Sequence, residues 1–415
     1  MERNVITVKY VVILGDGMAD FPLEALGGKT PLQHARIPHM DQLARKGIMG
    51  LAKTVPEGMN PGSDTANLSV LGYNPQRFYN GRSPFEAASM GIDMEETDVT
   101  FRCNLVTVTP EADYGEKTML DHSADEITTE EGAALIREVQ ERWGGGDINF
   151  YPGTSYRHLM VWKKGPFRWK LTPPHDILDR KIKSYLPAGE GSETLAEIMR
   201  ESAGFLEEHA INRERKRRGL GPANSLWIWG EGKKPLLKDF SARYHLKGSV
   251  ISAVDLVKGI GKCAGMEIID VPGATGNIDT NFKGKAKAAL DALGSGRDFV
   301  YIHLEAPDEA SHRNELDNKV KSIEYIDHQV VRIVKEGLDH MGYGYRLMVL
   351  PDHYTPLSLR THTRDPVPFL IYDSCRPLKD REQVYDEAHA RKAGLYFSEG
   401  YRLMDFFLTG KQGQG

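Results

Sequence analysis

The chain has 415 residues, 40% hydrophobic and 27% charged, a globular composition with more length than one small core needs. One large domain with an insertion, or two domains, is therefore expected. The formal net charge of −5 argues against nucleic acid as the main partner but leaves an anionic small molecule open, and the lack of a run of about 18 apolar residues argues against a membrane span.

The opening stretch lacks the apolar segment and small-residue cleavage site of a signal peptide, so a cytoplasmic location is expected. Val8–Leu14 reads as a strand running into Gly15-Asp16-Gly17. Asn60-Pro61-Gly62-Ser63-Asp64-Thr65-Ala66-Asn67 reads as a turn opening a helix. Ser63 there is either an N-cap or sits where backbone N–H groups can receive a phosphate. Asn67-Leu68-Ser69 matches a glycosylation acceptor, a chance match in a chain without a secretion signal.

Composition changes near residue 110. Gly144-Gly145-Gly146, the Pro173-Pro174 pair, several aromatics and a basic cluster (Arg213, Arg215, Lys216, Arg217, Arg218) follow. An inserted domain is expected over 110–247, with 1–109 and 248–415 forming the core. The basic cluster is either a solvated helix face or an anion-binding edge. Beyond it, Gly273–Gly276 reads as a loop before a helical stretch, Lys283–Leu293. Phe299–Leu304 reads as a strand ending at Glu305-Ala306-Pro307-Asp308, and Tyr345–Leu350 as one ending at Pro351-Asp352-His353. Between them Asp317–Leu338 carries Val320, Ile323, Ile326 and Val330/Val331 at helical spacing. Gly410–Gly415 reads as a loose tail, and Cys103, Cys263 and Cys375, far apart, as buried reduced thiols.

Short apolar strands alternating with helices predict an α/β fold with a mostly parallel sheet. Ligands of such sheets gather beyond the carboxyl ends of the strands, where Asp16, Asp308 and Asp352 fall. Asp308 and His312, four residues apart, share a helix face and suit one metal, or are an N-capping Asp and a solvated His. Asp352-His353 can converge on an ion at a bend, and His362 follows in a polar loop, where a surface histidine is the alternative. Asp16 between two glycines is a turn residue or a ligand. No Gly-x-Ser-x-Gly elbow occurs; a Ser-His-Asp triad stays open, but metal activation of Ser63 explains more of the surrounding acids.

Taken together, Asp16, Ser63, Asp308, His312, Asp352, His353 and His362 resemble the two-metal site of the alkaline phosphatase superfamily. Asp16-Gly17-Met18-Ala19-Asp20, the Pro61–Asn67 motif continuing to Pro75, and Gly81–Ala87 resemble the archaeal-type cofactor-independent phosphoglycerate mutases within it. So do Ser155-Tyr156-Arg157-His158, Pro222-Ala223-Asn224, Gly273–Gly276, Glu305–His312 and Asp352–Phe369. The resemblance implies an alkaline-phosphatase-like core with an inserted smaller α/β substrate-binding domain that closes over it. It implies interconversion of 3- and 2-phosphoglycerate, in glycolysis and gluconeogenesis, through a phosphoserine at Ser63 and without 2,3-bisphosphoglycerate. Asp16, Ser63, Asp352 and His353 would hold one divalent ion and Asp308, His312 and His362 another, Mn²⁺ first, with Zn²⁺, Mg²⁺ or Co²⁺ as alternatives. Arg157, whose fork suits a carboxylate or phosphate, would bind substrate. His158, His175, Asp176 and Asp121 are candidates for acid–base or orienting roles, and Arg213, Lys216 and Lys258 for further anion contacts. A metal-dependent phosphatase or phosphodiesterase would share the core, and a binding protein without turnover is the reading from another class. Oligomeric state stays open. One departure stands out: Asp121-His122-Ser123-Ala124 runs into Asp125-Glu126, where the family pattern leads one to expect a glycine and often a basic residue.

Overall fold

The structure, a computed structural model, describes residues 8–411; the end of the expected Gly410–Gly415 tail, from 412, lies outside the described residues. In chain order its strands are β1 (Val8–Gly15), β2 (Ile48–Ala52), β3 (Val99–Val108), β4 (Met119–Asp121), β5 (Ile148–Tyr151), β6 (Arg157–Trp162), β7 (Ser225–Lys233), β8 (Gly248–Ile251), β9 (Glu267–Ile269), β10 (Phe299–Leu304), β11 (Gly344–Leu350), β12 (Val367–Asp373) and β13 (Tyr396–Phe397). They belong to two units, Met1–Tyr79 with Leu237–Gly415, and Asn80–Leu236.

These boundaries differ from the expected 110 and 247. β3 pairs along its length with β6, from Val99↔Trp162 to Asn104↔Arg157, so it belongs to the second unit. Phe240, on the far side, packs its ring 4.7 Å from Phe299 of the first unit. Both partners are distant in sequence, so a local change of composition does not reveal them.

The first unit is built on one sheet, ordered β13-β2-β12-β11-β1-β10-β8-β9. β1 lies parallel between β10 and β11, while β12 runs antiparallel to β11 and β2. Val11 to Leu14 are all fully buried, as a parallel strand covered on both faces requires. Register then positions the chemistry. Gly15 lies opposite Leu304 and Leu14 opposite Leu350, so β1, β10 and β11 end together and the residues that follow them emerge at one edge. The stretch expected as one helix over Asp317–Leu338 is two helices, Leu316–Tyr325 and Arg332–Met341, joined by a π-helical turn at Ile326–Val331. Val330 and Val331 are both fully buried. Adjacent positions on a regular α-helix point about 100° apart, and the wider turn is what lets both face the core.

The second unit has β3 at its centre, flanked by β6 and β7, with β4 at its end and β5 outside β6. All these pairs are antiparallel. Two helices bury apolar stripes in its core, Thr129–Trp143 through Leu135, Ile136 and Val139, and Glu193–Glu207 through Leu195, Ile198 and Met199. Of the three cysteines only Cys103 is buried; Cys263 is half-buried and Cys375 exposed, because it lies in the turn after β12. Asn67 is fully buried, which rules out its glycosylation as folded. Among the described residues no helix is long and apolar enough to cross a membrane.

Candidate active site

The loop after β1 starts with Asp16, whose N–H donates to the Leu304 carbonyl at 2.9 Å and so continues the sheet by one residue. Gly17 then turns sharply at φ +60°, where a Cβ would come within 2.5 Å of Thr355 Oγ1 and 2.6 Å of Asp308 Oδ1. Only glycine lets these segments approach so closely. The helix Ala306–His312 begins two residues after β10 and carries Asp308 and His312 on one face, Oδ2 to Nε2 3.2 Å. Asp352 and His353 follow β11, both fully buried. The Asp352 Oδ1 accepts from the N–H groups of Gly17 at 3.2 Å and His353 at 2.9 Å.

Ser63 is the first residue of the helix Ser63–Val70, and Gly62 holds the N-cap position without a side-chain cap. The serine hydroxyl is therefore not spent on capping. Its Oγ lies 3.2 Å from His353 Nε2. That nitrogen is also 3.3 Å from Asp352 Oδ2 and 3.6 Å from Asp16 Oδ1. On the other side His362 Nε2 sits 3.4 Å from Asp308 Oδ1 and 2.9 Å from His312 Nε2. Asp16, Asp352 and His353 can converge on one ion, and Asp308, His353 and His362 on another, so His353 lies within reach of both groups.

The cluster is electron-rich and unfinished. Asp16 Oδ1 is buried and has no hydrogen-bond partner among the described residues. Burial, then the Asp352, Asp308 and Glu305 carboxylates, push the Asp16 carboxyl well above its usual range. Burial would raise Asp308 too, but hydrogen bonds from His312 and His362 hold it well below. His312 is drawn up to about 9, first by its hydrogen bond to Asp308, and burial pushes His353 down. An orphaned buried oxygen beside convergent imidazole nitrogens fits a bound cation.

Several supports carry no motif of their own. His303 Nε2 meets Asp16 Oδ2 at 2.9 Å, and Thr355 Oγ1 donates to Asp308 Oδ1 at 2.6 Å. Asn67 donates to the Ser63 carbonyl at 2.8 Å and to Asp352 Oδ2 at 3.0 Å. Below the site Lys319, fully buried, holds Asp20 at 2.7 Å. The sequence signal for His303 is a lone imidazole inside the apolar run Phe299–Leu304.

The expected substrate residues scatter more widely. Arg157 is exposed at the start of β6, its guanidinium 4.3 Å over the Tyr156 ring. His158 turns the other way: it is buried, its Nδ1 accepts from Gly153 N–H at 3.0 Å, and burial pushes it down to about 3. Strand alternation explains this, since neighbours on β6 point to opposite faces, and the finding removes His158 from the substrate contacts. Lys216 is committed to Glu207, and Lys258 to Asp270 at 2.6 Å. Arg213 is exposed, while Arg215, in the same basic cluster, is buried against Glu131 at 2.6 Å. Asp121 accepts from Ser123 and Asp125 N–H groups, which hold it low against the effect of its burial. Its loop passes through Ala124, Asp125 and Glu126, all at positive φ, which accounts for the expectation of glycine there. Asp125 compensates by binding the Gly221 N–H.

A second group of side chains in the same unit joins two expected residues, His175 and Asp176, to two that were not expected, Arg102 and His122. Arg102 of β3 is paired with Glu86 at 3.1 Å and lies 4.4 Å over the Trp229 ring. The His175 ring sits 5.5 Å from Trp229 and 6.0 Å from His122, whose buried Nδ1 makes no hydrogen bond among the described residues and lies 3.8 Å from Asp121 Oδ1. Asp176 is exposed beside His175, 3.7 Å away. The signal for Arg102 was a lone charge in the otherwise uncharged strand Val99–Val108.

Comparison with known proteins agrees along the whole chain. A family model described as 2,3-bisphosphoglycerate-independent phosphoglycerate mutase matches residues 44–212. A probable enzyme of that name from Geobacter sulfurreducens is 51% identical over 401 residues, 97% of this chain and 100% of the relative. One from Methanothrix thermoacetophila is 51% identical over 403 residues, again 97% and 100%. Among solved structures, a Pyrococcus horikoshii protein superposes with a TM-score of 0.81 at 28% identity, covering 99% of this chain and 100% of that one. The cofactor-independent phosphoglycerate mutase of Thermoplasma acidophilum gives 0.63 at 26% identity, covering 96% and 99%.

Proposed function

The chain belongs to the 2,3-bisphosphoglycerate-independent phosphoglycerate mutases, isomerases of phosphoglycerate, and from that membership we propose that Ser63 is the group that carries the phosphoryl between the two hydroxyls. The observation that supports this most is the uncapped Ser63 hydroxyl, 3.2 Å from His353 Nε2 within the buried Asp/His cluster. Asp16, Ser63, Asp352 and His353 would hold one divalent ion and Asp308, His312 and His362 a second, with His353 between them. Mixed imidazole and carboxylate donors suit Mn²⁺ first, and Zn²⁺, Co²⁺ or Mg²⁺ after it. When bound, such ions supply the positive charge that acidifies a serine hydroxyl and offsets phosphoryl charge.

Ser63 gives up its hydroxyl proton and its Oγ attacks phosphorus in line, the new O–P bond forming as the substrate's O3–P bond breaks and O3 takes up a proton in exchange for the one the serine released. The N–H end of the Ser63–Val70 helix favours the phosphoryl oxygens at this stage. The glycerate then presents O2, which loses its proton and takes the phosphoryl back, restoring the serine hydroxyl. Asn67 and Asp352 fix the position of Ser63 and His353 through the hydrogen bonds described above. We assign glycerate recognition to the second unit, with Arg157 and Arg102 as cationic groups and His122 and His175 as the titratable pair beside them. Asp121 and Asp176 orient those imidazoles, His122 Nδ1 lying 3.8 Å from Asp121 and His175 Nε2 3.7 Å from Asp176.

A test follows 3-phosphoglycerate in the presence of a divalent ion and without bisphosphate, with coupled enolase reporting 2-phosphoglycerate and free phosphate measured in the same tube. The proposal expects 2-phosphoglycerate with little phosphate. Stoichiometric phosphate release would show that the enzyme does not retain the phosphoryl group.

A further inference from the structure

Away from Ser63, one other group of side chains in the first unit has the composition of a metal site. His39, Asp327 and His328 bring one ligand atom each to within 4.8 Å of one another. None of them belongs to the cluster around Ser63. His39 is the second residue of the helix Pro38–Lys46, and Asp327 and His328 lie in the π-helical turn Ile326–Val331. Their rings meet edge-on at 5.5 Å, and His328 Nδ1 is 3.6 Å from Asp327 Oδ2.

Part of this arrangement has a structural reason. The helix Pro38–Lys46 lacks a side-chain cap of its own, and the buried Asp327 carboxylate accepts from its His39 and Met40 N–H groups at 3.3 and 2.7 Å. That accounts for the aspartate and for neither imidazole. No ring nitrogen of His39 or His328 makes a hydrogen bond among the described residues, yet both rings are turned toward the same carboxylate. Two N–H bonds also leave a carboxylate with free lone pairs. The nearby cations do not compete for it: Arg332 is paired with Glu336 at 3.1 Å, and Lys335 with Asp339 at 2.5 Å. The wider π-turn is what lets consecutive residues, one buried and one half-exposed, serve the same point.

We propose that His39, Asp327 and His328 form a separate binding site for a borderline transition metal, Zn²⁺ in the first instance, that pins the Pro38–Lys46 helix to the π-turn. Two imidazoles and one carboxylate are a common zinc donor set, and half-exposed rings leave a position for water. Such a site stabilises the fold by mass action and leaves the phosphoryl chemistry untouched.

The test counts metal. Mn²⁺-loaded enzyme is dialysed to equilibrium against a small excess of Zn²⁺, and total manganese and zinc are measured per chain in the unaltered protein and in His39→Ala and His328→Ala. Each variant is expected to hold one ion fewer, to keep its mutase activity, and to lose the rise in Tm that Zn²⁺ produces in the unaltered protein. Where an alanine variant does not fold, His39→Gln or His328→Gln takes its place. Equal metal content in all the proteins, or loss of mutase activity together with the ion, overturns the proposal.

Discussion

Arg215, Lys216, Arg217 and Arg218 each meet a carboxylate of their own unit, Glu131, Glu207, Glu214 and Glu131 again. The first unit contains at least as dense a cluster, Asp16, Asp308, Asp352, His312, His353 and His362, but there the charges are left unsettled. Three carboxylates are gathered in a buried space, and one oxygen of Asp16 has no partner among the described residues. The eye-catching basic run of the second unit is thus largely self-neutralised structure, while the acids gathered at strand ends of the first are where we propose the chemistry. Charge that the protein does not settle internally marks chemistry better than charge density does.

The sharpest way to break this contrast is Ser63→Ala, for which a loss of turnover on the order of 10⁴- to 10⁶-fold is expected with the fold intact by circular dichroism. Retention of appreciable activity would remove the serine from the chemistry. Next comes the metal. Chelation should abolish activity and Mn²⁺ restore it, and Asp308→Ala should lower metal content by about one ion per chain; full activity in exhaustively metal-free enzyme would contradict the reading of the cluster.

A smaller effect separates the two kinds of ion pair. Lys319 and Asp20 are both fully buried, so Lys319→Ala strands a carboxylate and should cost about 3–5 kcal/mol in urea unfolding. Lys216→Ala, at a half-exposed pair, should cost only about 0–1 kcal/mol and leave KM unchanged. Similar losses from both would erase the distinction. Within the second unit, Arg157→Ala should raise KM for phosphoglycerate about 10- to 100-fold, the worth of a lost charge-assisted contact, without altering metal content.

Much of the first unit was legible because its strands are short apolar runs and each relevant one ends at an acid. β10 was expected over Phe299–Leu304, as observed, and β1 and β11 differ by a single residue. Which strands are neighbours, and therefore that Asp16, Asp308 and Asp352 emerge at one edge, depends on long-range pairing that spacing does not encode. The same limit explains the second unit. Composition alone does not place β3 in the second unit, because its partners β6 and β7 lie dozens of residues away, and a motif that joins His158 to Arg157 does not say which face of a strand is outward. Arg102 and His303 were visible as polar intrusions in apolar strands, a signal that needs the strand to be recognised first. The π-turn left only the Val330-Val331 pair as a trace.

The central claim is that the phosphoryl group rests on Ser63. Enzyme mixed with 3-phosphoglycerate and a divalent ion, quenched within a turnover and digested, should show phosphate on the peptide containing Ser63 and none on that peptide from Ser63→Ala. Phosphate found instead on a histidine peptide, or turnover with no phosphorylated enzyme at any quench time, would contradict the account.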